Sequence, residues 1–281
     1  MANRRAVGMA VAVAAAVGLL AIMLAWLAPR DGSLRRVLAA GQLRVGYAVE
    51  PPYAYVGAAG QANGESPSLA RAVAARLGVA PVFVLMDFAA LIPALESGRI
   101  DMVAAGLFIT PERAQRVSFS RPTLRVRAGW LQRAADPALP TDAAALAAMP
   151  AIRVTVIDGA VEAQWLRASG LPADRILPMP DAATAMAAVS DGQADVLALS
   201  WPSVSAMAAR SNGALLARPA VPADAEVSLV GLALRRGDER LRAAVDAALA
   251  AHLGSAEHRA ALAAVGLGRE DLPPGTPDAG R

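Results

Sequence analysis

The sequence predicts an α/β protein of two parallel-sheet lobes joined by two crossings. Three observations predict it. Short apolar strands alternate with amphipathic helices from Gln42 to Gly106. A second series of the same kind runs from Ile152 to Ala209. An extended segment, Leu124–Leu131, separates the two, and the chain returns through Leu215–Pro219 to a strand over Val227–Arg235. Strands that alternate with helices build largely parallel sheets, and two such series of about 90–110 residues fit a molecule with a cleft.

Each element has a local cause. Gly41 turns the chain into a strand over Gln42–Val49, which Pro51-Pro52 ends. Val56 to Ser66 is rich in Gly, Ala and Asn and reads as a surface loop. Pro67-Ser68 opens a helix, Leu69 to Leu77, that Gly78 closes. Pro81–Leu85 is a strand, Phe88–Ser97 a helix with Gly98 at its end, and Ile100–Gly106 an apolar strand. Thr110-Pro111 starts another helical turn, with threonine as cap and proline at the first position. In the second series, Ile152–Ile157 and Asp195–Leu199 read as strands. Val161–Ser169, Ala182–Ser190 and Ser203–Ala209 read as helices. Leu241–Leu253 is a long amphipathic helix, and His252 and His258 read as solvated or locally bonded. The stretch after Pro273 is rich in Pro and Gly and is expected to fray.

Composition excludes several chemistries. The 281 residues are 56% hydrophobic, which supplies a core. All 27 basic residues are arginine, so lysine Schiff bases and P-loop lysines are ruled out. Cysteine is absent, which removes disulfides, thiolate catalysis and a lipid-modified cysteine. Two histidines are too few for most zinc enzymes, and no metal site or cofactor is expected. Arg4, Arg5 and Arg30 lie at the edges of the apolar N-terminal run. Residues 31–281 therefore hold 24 arginines against 24 acids, a balance that gives nucleic-acid binding no support.

No charged residue occurs from Ala6 to Pro29, after a basic Met1–Arg5. This is an export signal or a membrane anchor over residues 6–29. The run exceeds the roughly 7–15 residues of a signal core, and Trp26 sits three residues before Pro29 in a poor cleavage context. Either way the rest of the chain faces outside the cytoplasm. With no cysteine to lipidate, a Gram-negative periplasm is the expected location.

The segment Phe88 to Pro122 reads FAALIPALESGRIDMVAAGLFITPERAQRVSFSRP. Its order of Phe88, Leu91–Leu95, Gly98, Asp101, Thr110, Arg113 and Phe119-Ser120 closely resembles the amino-acid-type extracytoplasmic solute-binding proteins of ABC importers. Gly192 and Asp195 resemble that family's second G-x-x-D, and Val230-Gly231 its return strand. The resemblance spans roughly residues 42–270. It implies a type II periplasmic-binding-protein-like fold. Residues 1–30 would be signal or anchor, and 31–124 the first part of lobe 1. Residues 125–217 would form lobe 2, 218–270 the return part of lobe 1, and 271–281 a flexible tail. Within the family, Tyr47–Tyr53 and the run AAGLFITPER resemble the ectoine and hydroxyectoine receptors.

Candidate ligand residues follow. Arg113, just inside a capped helix start, can grip a carboxylate through two parallel hydrogen bonds. Glu50 ends a strand, where such folds place their sites, and can face a delocalised cation. Tyr53, Phe88 and Phe108 are three of only seven Phe and Tyr residues, each near a strand end. Together they form a three-sided aromatic box for such a cation. Gly106 and Phe108 stand where amino-acid receptors commonly carry hydroxyls, and Ser200 where they often carry an aspartate. On the second lobe, free N–H groups at Gly159 and Ala160 are expected to meet a carboxylate on closure, with Ser200 and Trp201 as the opposite wall.

The expected function is therefore a non-enzymatic receptor that delivers a zwitterionic compatible solute, ectoine or hydroxyectoine, to an ABC permease for osmoprotection. The protein is expected to be a monomer. Three alternatives stay open. The first is a receptor for a polar or basic amino acid. The second is an enzyme of the cyclohexadienyl-dehydratase type, for which Glu50 is a lone general acid without an evident partner base. The third is a tethered sensor that signals through a partner protein.

Overall fold

The computed structural model describes residues 31–220 and 227–277. The apolar run over residues 6–29 lies outside the described residues. No helix among the described residues is long and apolar enough to cross a membrane.

A helix over Ser33–Ala40 precedes β1 (Gln42–Tyr47). β2 (Tyr55–Val56) and β3 (Ala62–Asn63) form a small antiparallel ribbon inside the stretch expected to be a loop. The next helix spans Glu65–Leu77. It starts before Leu69 because Pro67 lies in its first turn, where a missing N–H costs nothing. Gly78, at φ 68°, closes it in the left-handed conformation. β4 (Ala80–Leu85) follows, then a helical turn at Phe88 leading into the helix Leu91–Glu96, then β5 (Met102–Val103). β5 is shorter than the expected Ile100–Gly106, because Gly106 turns the chain at φ 65°. Thr110 caps the helix Pro111–Arg116 by accepting from the Arg113 N–H. Then come β6 (Val117–Phe119) and β7 (Leu124–Val126).

β8 (Ala128–Arg133) enters the second sheet, followed by β9 (Val154–Ile157), β10 (Ile176–Met179), β11 (Val196–Ser200) and β12 (Leu215–Pro219). β10 was not expected, because Pro178 interrupts its pattern. Proline is tolerated on an edge strand, and β10 is at the edge of its sheet. β13 (Ser228–Val230) and β14 (Ala233–Arg235) return the chain, and the helices Glu239–His252 and Ala256–Ala263 finish the fold.

The molecule is bilobed, with a type II periplasmic-binding-protein architecture. One sheet has the order β4-β1-β5-β14-β6, the other β10-β9-β11-β8-β12. The expectation of all-parallel lobes is corrected: both sheets are mixed. β14 runs antiparallel to β5 and β6, and β8 antiparallel to β11 and β12. These two strands are the first that the chain enters after passing from one lobe to the other. It arrives at the cleft ends of the parallel strands, so the entering strand must run the opposite way. β7 and β13, which lead into and out of the crossings, pair antiparallel with each other.

Each sheet is covered on both faces by apolar clusters. The two lobes also repeat one polar device. The Asp101 carboxylate accepts from the Arg44 N–H and guanidinium, while the Asp101 N–H donates to the Arg44 carbonyl. Asp195 repeats both backbone bonds with Arg153. The two G-x-x-D motifs thus tie adjacent strand starts together, away from the cleft. His258 is buried and locally bonded, the second of the two alternatives expected for it. Its Nδ1 accepts from the Gly254 N–H, and its ring lies 5.4 Å from that of His252.

Candidate functional site

The loops that leave the carboxyl ends of β1, β4 and β5 carry Glu50, Phe88 and Phe108. The loop that leaves β9 carries Gly159, and Ser200 is the last residue of β11. Open α/β sheets bind ligands at this end, because neighbouring loops diverge there and leave a crevice. Here the two sheets present these ends to each other.

Arg113 is buried, its relative exposure 8%. One Nη donates to the Phe108 carbonyl at 3.0 Å, the other to the Gly159 carbonyl of the opposite lobe at 3.0 Å. It has no carboxylate within ion-pair distance among the described residues. Its guanidinium lies over the Phe88 ring, 5.5 Å from the centroid. Burial lowers its pKa, while the charges of Glu162, Glu50 and Glu112 raise it. A buried guanidinium whose direct partners are two neutral carbonyls makes no ion pair among the described residues and is ready for an anionic ligand.

Glu50 is also buried, and its backbone pairs with Ala54 around a tight turn. The Ser203 hydroxyl donates to its Oε1 at 2.8 Å from the other lobe. Ser203 in turn accepts from the Ser200 hydroxyl at 3.0 Å. Ser200 caps the helix Trp201–Arg210, accepting from the Ser203 N–H. Burial lifts the Glu50 pKa to about 8. The Ser203 bond and Arg113 work against this, and the Glu162 charge adds to it.

Glu50, Phe88, Gly106, Phe108, Arg113 and Ala160 share the walls of one small cavity with Val161, Glu162 and Leu199. Its volume is about 10 Å³, so the lobes as they stand leave room for no more than a water. A ligand therefore enters only when they part. Arg113, Phe88 and Ala160 also line an outer cavity of about 390 Å³, with Asp158 and Arg167 at its rim.

Two of the three expected box rings, Phe88 and Phe108, line the inner cavity. Tyr53 is not among its walls. It is fully buried in the apolar cluster beneath Phe108, with Leu124, Val126 and Val230. A Cβ on Gly106 would lie 2.6 Å from the Tyr53 Cγ, so glycine is required there. Gly159 contributes its carbonyl, to Arg113, rather than its N–H. Trp201 lines a different cavity, of about 1050 Å³, beside Arg125 and Arg127.

Two site residues escaped the sequence reading. Glu162, with 3% exposure, opens the helix Glu162–Ala168, and burial raises its pKa to about 7. Ser203 bridges to Glu50. The S-x-x-S spacing of Ser200 and Ser203 marks a helix cap, but nothing local says that the second hydroxyl reaches an acid 153 positions away.

The family model "Bacterial extracellular solute-binding proteins, family 3" matches residues 43–262. A probable amino-acid ABC transporter periplasmic-binding protein of Sinorhizobium fredii is 31% identical over 190 residues. The match covers 66% of this chain and 63% of that protein's length. The crystal structure of EhuB in complex with hydroxyectoine superposes with a TM-score of 0.79 at 31% identity, covering 84% of this chain and 93% of that one. An ancestral arginine-binding protein bound to glutamine gives a TM-score of 0.71 at 25% identity, covering 80% and 98%.

Proposed function

Because the chain belongs to family 3 of the bacterial extracellular solute-binding proteins, we propose that it is the extracytoplasmic receptor of an ABC importer. In this reading it captures an amino acid of the polar or basic class between its lobes. The observation that carries this is the guanidinium of Arg113, which makes no ion pair among the described residues and shares a cavity with Glu50. An amino acid brings an anion for the first and a cation for the second, so neither partner stays buried and unpaired. Closure over the ligand excludes water and strengthens both contacts. The protein then acts by binding and delivery to a permease, not by catalysis. Residues 6–29 serve its export or its tethering in the periplasm. The amino-acid transport relative from Sinorhizobium fredii and the ancestral arginine-binding protein support this class.

A second reading, ectoine or hydroxyectoine, is favoured by one observation. Phe88 and Phe108 line the cavity together with Glu50, a setting suited to a delocalised cation. The hydroxyectoine-bound relative has the same fold at 31% identity. Calorimetric titration with arginine, lysine, histidine, glutamine, glutamate, ectoine and hydroxyectoine separates the two. A polar or basic amino acid is expected to bind tighter than ectoine, and glutamate, whose second carboxylate would meet Glu50, not measurably. Tighter ectoine binding would replace the first reading with the second. No binding by any solute would sink the receptor reading itself.

A further inference from the structure

We infer that the cleft selects a ligand with one more cation than it has carboxylates, and that Glu162 reads the second cation. The inference rests on the receptor reading above and narrows it to amino acids with a positively charged side chain.

The argument is a count of buried charge. The small cavity between the lobes is lined by two carboxyl groups, Glu50 and Glu162, and by one cation, Arg113. All three are more than nine-tenths buried. Glu50 takes a hydrogen bond from Ser203 on one oxygen, and Glu162 turns back toward its own backbone N–H. Neither makes an ion pair among the described residues. The other charged groups near Arg113 lie outside this cavity, with Glu112, Arg116, Asp158 and Arg167 on the outer one.

A zwitterion with its carboxylate on Arg113 and its cation on Glu50 leaves Glu162 unmatched. Glu162 must then keep a proton. Burial already lifts it to about 7 and Glu50 to about 8, so both hold a proton more readily than an exposed glutamate. A ligand with two cations and one carboxylate balances the cavity instead, three positive groups against three negative, and displaces the protons. Position agrees with this count. Glu50 comes from one lobe and Glu162 from the other, so two cations on one ligand are met only when the lobes close. Phe88 and Phe108 line the same cavity, and aromatic rings attract cations of this kind.

The test uses arginine, lysine and citrulline, the last being the uncharged isostere of arginine, titrated into the wild-type protein and Glu162→Gln. The wild type is expected to bind arginine or lysine at least about tenfold tighter than citrulline. Glu162→Gln should lower affinity for that cationic ligand at least about tenfold and leave citrulline within about threefold. Citrulline binding thereby reports that the variant is folded. Titration in two buffers of different ionisation enthalpy should show proton release for the cationic ligand in the wild type, and less in the variant. Equal loss for charged and uncharged ligands, or an unchanged preference, would overturn the role of Glu162. Binding of ectoine alone would overturn the inference and leave the receptor reading standing. Binding of no solute would overturn both.

Discussion

The Ser203 hydroxyl donates to the Glu50 carboxylate at 2.8 Å, from one lobe to the other. With the bond from Arg113 to the Gly159 carbonyl, it holds the cleft nearly shut around a cavity of about 10 Å³. A ligand must replace these two contacts with better ones, so the same residues that grip each other are those expected to grip the solute.

Ser203→Ala removes the Ser203–Glu50 bond between the lobes and takes from the buried carboxyl the donor on its Oε1. Such a loss costs roughly 1–3 kcal/mol, and the cost falls on the closed arrangement alone, because an open cleft lets water reach Glu50. The variant is expected to have a larger radius of gyration by small-angle scattering without ligand. An unchanged radius would show that Ser203 does not hold the lobes.

Arg113→Ala leaves the ligand carboxylate without its cation and is expected to lower affinity by roughly 2–5 kcal/mol, as for other buried charge pairs. Arg113→Lys should recover only part of the loss. An ammonium cannot bond the Phe108 and Gly159 carbonyls and a carboxylate with one planar fork. Calorimetry on the best ligand of the panel measures both, and an alanine variant with wild-type affinity would remove Arg113 from the site.

Gly106→Ala combines a left-handed backbone, at φ 65°, with a Cβ only 2.6 Å from the Tyr53 ring. Tyr53 is fully buried and cannot retreat freely. The substitution is expected to cost roughly 2 kcal/mol or more in folding stability, read from a denaturant midpoint. Gly41→Ala has the same sign of φ but nothing within 4 Å of the added carbon, and serves as the control for backbone strain alone. Equal losses in the two variants would mean that the ring contact contributes nothing.

Burial raises Glu50 to about 8 and both Glu65 and Glu162 to about 7. An unfolded glutamate titrates near ~4.3. Between these values the folded protein binds more protons than the unfolded chain, so stability falls as pH rises. This contribution is complete below the unfolded value and lost as pH rises through 7 to 8. The melting temperature of the ligand-free protein is expected to be higher in mildly acidic than in mildly alkaline buffer, with a shallower decline in Glu162→Gln. A melting temperature that climbs over this range would contradict the burial of these acids.

The sequence by itself determined the alternation of strands and helices, the Thr110 cap that places Arg113, and the glycines at 78, 106 and 159. It also marked Glu50, Phe88 and Phe108 as strand-end residues. Each of these depends on a neighbour within a few positions: a cap, a φ value or a turn, all written in local chemistry. Only the tertiary structure decided the direction of β8 and β14, because an entering strand takes its sense from where the chain crosses between lobes. The same holds for Tyr53, which sits under Gly106 instead of in the cavity wall, and for Trp201, which lines another cavity. Glu162 and Ser203 show the limit most clearly. A glutamate in a first helical turn and a serine one turn past a cap are ordinary surface residues until a second lobe buries them. Their charge and hydrogen bonds acquire meaning from Arg113 and Glu50, residues far away in the chain that only packing brings near.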